Sequence, residues 1–258
     1  MSLSKVISAV FHPIFIPSFV VLVVISQFTN ILILTSQIPF IIVGVLFFTL
    51  FLPLISMYYL LITKKIESLE MSKKEERPLP LAITFFLMII GYYIMEEALN
   101  YTPIVKTIYL GSTYILIITI FITKAWKISL HMLGMGGATG VFIALQVLLG
   151  GLYQIMLLAF FLSGVVGYAR IQKKAHNLGQ VYTGFVLGLF WMFIFVFYLL
   201  TMREDYLKSD DEDFSPNGTS TTLSNIPTEV INYSPVHSHV VLSKYTCISV
   251  AYGYMEKE

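Results

Sequence analysis

Charged residues are scarce in this chain, and their scarcity argues against a soluble globular protein. Of its 258 residues, 12% are charged and 57% are hydrophobic, and the mean hydropathy is +0.80. Soluble domains carry about 25% charged residues. The single cysteine, Cys247, excludes an internal disulfide and a cysteine-based metal site. The composition therefore predicts an all-α, polytopic transmembrane helical bundle whose partner is the lipid bilayer and not a nucleic acid.

Seven apolar stretches are candidate membrane spans, since a helix needs about 20 apolar residues to cross the hydrocarbon core. The first stretch contains Pro13 and Pro17, which would break a helix near its start. We interpret it as a retained span rather than a cleaved signal peptide, with a re-entrant or interfacial segment as the alternative. Six or seven spans are thus predicted. The stretches cover about residues 5–27, 38–62, 80–97, 105–124, 131–149, 152–168 and 180–201.

The composition changes abruptly after Met202. Residues 203–258 hold nine of the fifteen acidic residues and are rich in Ser, Thr, Asn and Pro. Such a composition is typical of a polar, flexible tail. We therefore divide the chain into a transmembrane helical domain, residues 1–202, and an acidic C-terminal tail, residues 203–258, to which we assign no function.

Most basic residues before the tail fall on one membrane face, here called face A. If the chain begins on that face, the connections 63–79, 125–130 and 169–179 return to it and carry nearly all the lysines and arginines. The positive-inside rule makes such a face cytoplasmic, and we expect an integral protein of a bacterial cytoplasmic (inner) membrane. An anion-binding site on face A would bias this count, because some of the charges would then be functional.

Three polar clusters on face A contain residue types that bind phosphate. They contribute Arg77, His131 and the pair Arg170 and His176, and the intervening helical hairpins return the chain to the same edge each time. Arginine holds phosphate through bidentate, charge-assisted hydrogen bonds. Histidine attacks phosphorus or relays a proton near neutral pH. The pattern predicts a pocket for a phosphate or diphosphate group, with three further candidate ligands: Lys73, Lys74 and Lys127.

The order of these residues resembles the type 2 phosphatidic acid phosphatase superfamily, whose pattern is K-x6-R-P, then P-S-G-H, then S-R-x5-H-x3-D. Arg77-Pro78 matches the first motif, His131 matches the histidine of the second, and Arg170 with His176 matches the third. The resemblance covers roughly residues 60–200. Each motif alone has little specificity, and the ordered set on one face has more.

The resemblance implies a membrane phosphatase of the same helical architecture, acting without a metal or cofactor. His176 would be the nucleophile and form a phosphohistidine, His131 would protonate the leaving oxygen, and Arg77 and Arg170 would hold the phosphate oxygens. The substrate would be an amphiphilic phosphate such as a phosphatidate, a lysophosphatidate or a polyprenyl (di)phosphate.

The chain departs from the family pattern at several positions. Glu70 stands where the first lysine would fall, Ile128-Ser129-Leu130 replaces Pro-Ser-Gly, and Ala169 replaces the serine. Gln180 replaces the aspartate, so it can orient the imidazole of His176 without bringing a charge. Loss of the equivalent carboxylate costs about 10⁴ in rate in a serine protease.

Two other functions therefore stay open. One is a catalytically inactive descendant of the family that binds anionic lipid headgroups. The other is a small transporter or scaffold whose basic residues serve only membrane orientation and lipid contact. His131 precedes a glycine-rich run, where a histidine could bond a neighbouring backbone group and do nothing else. The sequence predicts no oligomeric state.

Overall fold

The computed structural model describes residues 3–28, 37–71 and 73–213, with side chains described as far as Met202. Within these ranges the chain forms eight α-helices and no strand. It divides into two compact units, Met1–Leu200 and Thr201–Glu258. The predicted flexible tail falls beyond residue 213, outside the described residues, for most of its length.

Among the described residues, six helices are long and apolar enough to cross a membrane. This confirms the predicted all-α bundle and makes the chain an integral membrane protein. Each helix matches one of the predicted stretches after the first. They are α3 (Ile38–Ile62), α4 (Pro78–Asn100), α5 (Pro103–Ala125), α6 (Leu130–Leu149), α7 (Tyr153–Gln172) and α8 (Leu178–Asp213).

The first apolar stretch forms two short helices, α1 (Leu3–Val10) and α2 (Ile16–Gln27). Pro13 lacks an N–H and its ring would collide with the carbonyl four residues earlier, so α1 ends before it. Pro17 lies in the first turn of α2, where a missing N–H costs nothing. With 12 residues, α2 is about 18 Å long, less than the hydrocarbon thickness of about 30 Å.

A π-helical segment, Phe47–Phe51, interrupts α3. Pro53 follows it, and the wider turn relieves the collision between the proline ring and the Thr49 carbonyl. The Thr49 hydroxyl donates to the Val45 carbonyl at 2.8 Å and shares a hydrogen bond with Ser18. The latter bond connects α2 to α3.

The hydrophobic core lies between the membrane-crossing helices and α2. Met95 and Leu99 of α4 and Leu145 of α6 are fully buried and belong to one cluster. The Tyr109 hydroxyl of α5 donates to the Met88 carbonyl of α4 at 2.8 Å. A buried hydroxyl needs such a partner in an apolar interior.

Helices α6 and α8 approach each other closely through glycine. A Cβ atom at Gly136 would overlap the Phe185 carbonyl, and one at Gly188 would overlap the Leu133 carbonyl. Small residues allow this kind of backbone contact between membrane helices. The two helices run parallel, so the first turns of α6 and α8 lie side by side. Predicted site residues lie in or next to both turns.

Candidate functional site

Three helices, α4, α6 and α8, begin at face A and direct the positive ends of their dipoles toward that edge. Two hydrogen bonds connect their starts. Arg77 Nη1 donates to the Ile128 carbonyl at 2.6 Å, and the Ser129 N–H donates to the Gln180 carbonyl at 3.2 Å. Residues from all three sequence clusters are therefore adjacent, in surroundings that favour an anion.

Arg77 is buried, with 2% of its surface exposed. Besides the bond to Ile128, its Nε donates to the Met71 carbonyl at 3.1 Å. These bonds hold the loop before α4 against the loop before α6. The structure thus gives Arg77 a structural role, with the positive charge still close to the other site residues.

Arg170, in the last turn of α7, is equally buried at 2% exposure. Within the described part of the chain, its buried Nε and Nη1 atoms have no hydrogen-bond partner. The Glu70 carboxylate lies 3.7 Å from Nη1, beyond hydrogen-bond distance. Buried polar groups are almost always hydrogen-bonded; Arg170 instead has the ion pair with Glu70 and retains donor capacity at Nε and Nη1 among the described residues.

Glu70 is an acidic residue at the edge of this cationic cluster. Its Oε1 accepts a hydrogen bond from Lys173 Nζ at 2.6 Å. Although partial burial raises the pKa of Glu70, the hydrogen bond and charge of Lys173 and the charge of Arg170 hold it below its ordinary value. Glu70 is therefore ionised at neutral pH and neutralises part of the positive charge.

His176 is 7% exposed and lies just before α8. Its Nδ1 is 2.9 Å from Gln180 Oε1. That oxygen also accepts the Asn177 N–H at 3.4 Å, while Asn177 Oδ1 accepts the Gln180 N–H at 2.9 Å, a reciprocal capping arrangement. An amide oxygen only accepts, so Nδ1 carries the proton and Nε2 keeps its lone pair.

His176 lies within the electrostatic influence of three cationic side chains. Burial lowers the pKa of His176 to about 4; the Gln180 hydrogen bond raises it, and the charges of Arg170, Arg77 and Lys127 lower it. Burial likewise lowers the pKa of Lys127, as do the charges of Arg77 and Arg170. At neutral pH the imidazole is consequently uncharged, as a nucleophile must be.

His131, in the first turn of α6, is also buried, at 4% exposure. Its Nε2 is 2.9 Å from the Ser8 carbonyl, to which it donates, so the neutral ring has its lone pair on Nδ1. The His12 ring packs edge-on against it, with centroids 5.4 Å apart. His131 therefore makes the hydrogen bond to a backbone group that its position before the glycine-rich run made possible.

Lys73 and Lys74 are not brought into the cluster. Lys73 is exposed and pairs with Glu67, whose charge and hydrogen bond raise its pKa. Lys74 Nζ lies 3.5 Å from the Lys124 carbonyl at the end of α5. Of the predicted lysines, the structure places only Lys127 beside the arginines and His176.

Sequence reasoning did not assign a role to three residues of the site. Glu70 was noted only as a mismatch, and its partners Arg170 and Lys173 are about 100 residues away. The Ser129 hydroxyl is buried without a partner among the described residues and does not cap α6, although serine at a helix start usually does. His12 reaches the site only because α1 and α2 are separated by a turn.

The fold and the site together define an integral membrane protein with a buried cluster of two arginines and two histidines at one membrane edge. Comparisons of the chain with protein-family models, curated proteins and solved structures found no match.

Proposed function

We propose that this protein is a membrane phosphatase that hydrolyses an amphiphilic phosphate through a phosphohistidine at His176. The proposal rests mainly on Arg170, whose two buried, unpartnered N–H groups belong to the cluster that surrounds a neutral histidine. Phosphate oxygens satisfy a guanidinium of this kind. The motif order that resembles type 2 phosphatidic acid phosphatases supports the same function.

In the first step, Nε2 of His176 attacks phosphorus and the bond between phosphorus and the leaving oxygen breaks. The bond from Nδ1–H to Gln180 Oε1 keeps the lone pair on Nε2. Arg170, with Lys127 and the three helix starts nearby, stabilises the charge on the phosphoryl oxygens. The ring becomes a phosphorylated imidazolium, which the neutral Gln180 stabilises less than a carboxylate would.

In the second step, water attacks the phosphohistidine and releases inorganic phosphate, returning His176 to its neutral form. This step needs a base to take a proton from water. The neutral His131 offers a lone pair at Nδ1, because its Nε2–H is bonded to Ser8. In this geometry His131 suits activation of water better than protonation of the leaving oxygen, the role that the resemblance implies.

The tautomer of His131 determines which leaving group the site can expel. An alkoxide is a strong base and needs a proton as it leaves, whereas a phosphate monoester leaves as a stable anion without one. A site whose histidine accepts rather than donates a proton therefore favours a diphosphate, such as a polyprenyl diphosphate, over a simple lipid monophosphate. A site at face A suits an amphiphile whose headgroup lies at the aqueous edge and whose chain extends to membrane depth, in what we expect to be a bacterial cytoplasmic membrane.

A non-catalytic protein that binds anionic lipid headgroups is the competing function, and two observations favour it. Gln180 brings no charge to His176, and the Glu70 carboxylate lies beside Arg170. The missing charge at Gln180 weakens catalysis more than anion binding, and the Glu70 carboxylate neutralises charge that would stabilise the transition state. Headgroup binding with no turnover would identify this function.

The experiment that tests the proposal is phosphate release from a polyprenyl diphosphate and from phosphatidate, by purified protein in lipid nanodiscs containing EDTA. His176→Ala is the test variant. His237→Ala, a histidine that follows the last span in sequence, is the matched control. We expect release by the wild type and the control and none by His176→Ala, with faster release from the diphosphate.

Equal release by His176→Ala would refute the phosphohistidine. If no protein releases phosphate while radiolabelled diphosphate still binds, and binding needs Arg170, the headgroup-binding function replaces the phosphatase.

A further inference from the structure

The bundle contains a cavity of about 130 Å³ near the candidate site. Residues of α2, α3, α4, α5 and α6 line it, together with Met192 of α8. Its walls include Val20, Met88, Ile108 and Val141. We propose that this cavity holds the single apolar chain of the substrate while its phosphate lies at Arg170, an inference that rests on the proposed function.

The cavity walls are largely apolar, and three of the four hydroxyl side chains that line them are bonded within their own helices, the exception being Ser112. Thr49, Thr84 and Thr119 line the cavity, and each hydroxyl donates to a carbonyl of its own helix at 2.7 to 2.8 Å. Their hydrogens are therefore not offered to the cavity. Such walls suit a hydrocarbon chain and are poorly suited to water or an ion.

One end of the cavity lies near the polar site, although Arg77, His131, Arg170 and His176 are not among its lining residues. His12 lines it and packs against His131. The side chain of Met71 also lines it, while the Met71 carbonyl accepts the Arg77 Nε hydrogen bond. In the proposed binding mode, the chain of an amphiphile whose headgroup lies at the cationic cluster passes His12 to enter the cavity.

The dimensions allow one chain and not two. Along α6 the lining runs from Leu130 to Val141, about 17 Å at 1.5 Å per residue. A cavity of about 150 Å³ holds one benzene molecule, so the volume here accepts part of a single chain. This favours a single-chain alkyl or prenyl (di)phosphate over a diacyl phosphatidate.

A second space, a groove of about 390 Å³ between α6, α7 and α8, is the alternative place for the chain. Among its lining residues, Tyr168 and Tyr182 are more than 60% exposed on the outer surface of the helices. In a bilayer such a groove is open to every lipid tail and offers little selection. Gly164 lies on this groove, and a Cβ there would meet no atom within 4 Å.

Photocrosslinking tests the proposal directly. The probe is an alkyl diphosphate with a diazirine at the end of its chain, added to the protein in nanodiscs, irradiated and mapped by peptide mass spectrometry. We expect phosphate-dependent labels on Met88, Ile108 or Val141. The same alkyl chain ending in an alcohol should give no such labels, and a diacyl phosphatidate should compete less well than a single-chain diphosphate.

Two variants separate the cavity from the groove. Ala138→Leu fills the cavity and should reduce its labelling about tenfold, since an added side chain of this size excludes the ligand chain. Gly164→Leu fills the groove and should leave labelling of the cavity residues within about twofold of the wild type. The added Cβ meets no neighbouring atom, so the fold should tolerate it. The wild-type label positions decide the matter even if Ala138→Leu fails to fold.

Labels confined to Phe160 or Phe185 in the groove, or spread over the whole lipid-facing surface, would overturn the proposal. Phosphate release measured on the same samples keeps the two proposals apart. Labelled cavity residues without phosphate release would refute the phosphatase and leave the chain site standing.

Discussion

Two arginines in this protein look alike by sequence and by burial, yet their surroundings differ. Arg77 and Arg170 are each 2% exposed. Arg77 donates through Nε and Nη1 to two backbone carbonyls, whereas the same two atoms of Arg170 have no hydrogen-bond partner in the described part of the chain. The first arginine is bonded to the backbone, whereas the second is paired with the Glu70 carboxylate and keeps donors that have no hydrogen bond among the described residues.

Burial and charge therefore do not by themselves distinguish a structural arginine from a ligand-binding one. A guanidinium desolvated by the fold needs acceptors. Where the backbone supplies them, substitution should damage the fold. Where nothing supplies them, substitution should damage binding instead.

The largest expected effect comes from substituting the two arginines in parallel. Arg170→Gln should weaken binding of a radiolabelled diphosphate at least about 100-fold, because charge-assisted hydrogen bonds are worth roughly 1.5–3 kcal/mol each. Its thermal stability should hardly change. Arg77→Gln should instead lower the free energy of unfolding by about 1–3 kcal/mol, since two buried carbonyls lose their donors.

Equilibrium binding and thermal unfolding in the same nanodiscs measure both quantities. If Arg170→Gln unfolds while Arg77→Gln stays folded and loses binding, the assignment of the two arginines is reversed.

The pH dependence tests the surroundings of His176. With its pKa near 4, the nucleophile is almost fully neutral at pH 5, whereas an ordinary histidine with a pKa near 6.5 would be roughly 30-fold less available. The rate of phosphate release should therefore not fall through protonation of His176 until the pH is below about 5. An acid limb with a midpoint near 6.5 would show that His176 is solvated.

The same shift has a consequence for stability. The folded-state pKa lies below the ordinary value of 6.5, so between about pH 4 and 6.5 the unfolded chain binds more protons than the folded one. The free energy of unfolding therefore falls as pH falls through this window. His176→Asn, which has no titrating ring, should lose this component in thermal unfolding measured against pH.

Restoring a carboxylate beside His176 should increase the rate of phosphate release. Gln180→Asp places a negative charge near Nδ1, which stabilises the imidazolium that forms during attack. We expect phosphate release to rise about tenfold, well below the factor of about 10⁴ attributed to such a carboxylate in a serine protease, because the shorter side chain also loosens the cap on α8. Gln180→Asn, equally short and uncharged, is the control. Equal rates in the two variants would contradict a role for charge.

The smallest effect concerns Glu70. Glu70→Gln removes a carboxylate that is half-exposed and 3.7 Å from Arg170, so phosphate should bind about two- to fivefold more tightly, in keeping with the weak energy of partly exposed ion pairs. Glu67→Gln is the matched control, since Glu67 pairs with the exposed Lys73. Weaker binding in Glu70→Gln alone would mean that the carboxylate positions Arg170 rather than competes with substrate.

The spans were predictable from sequence because membrane crossing imposes length and hydropathy on a local stretch of chain. Pro13 and Pro17 also signalled the irregular first segment, which the structure resolves into α1 and α2. The common edge shared by Arg77, Arg170 and His176 followed from the alternation of helical hairpins, since each returns the chain to face A.

The hydrogen bonds that distinguish these residues were not predictable. The bond from His131 to Ser8 joins positions 123 apart, and the one from Arg77 to Ile128 joins positions 51 apart. Both depend on how helices rotate about their axes, which an almost uniformly apolar sequence leaves undetermined. The pairing of Glu70 with Lys173 depends on a loop conformation and has no periodic signal.

Trapping the phosphoenzyme tests the proposed phosphohistidine at His176 most directly. Protein incubated with a diphosphate carrying radiolabel in its terminal phosphate is quenched in base, where phosphohistidine survives, and the label is mapped to a peptide. We expect acid-labile label on the peptide that contains His176 and none in His176→Ala. Label on another residue, or release of phosphate with no labelled histidine at any time point, would contradict the proposal.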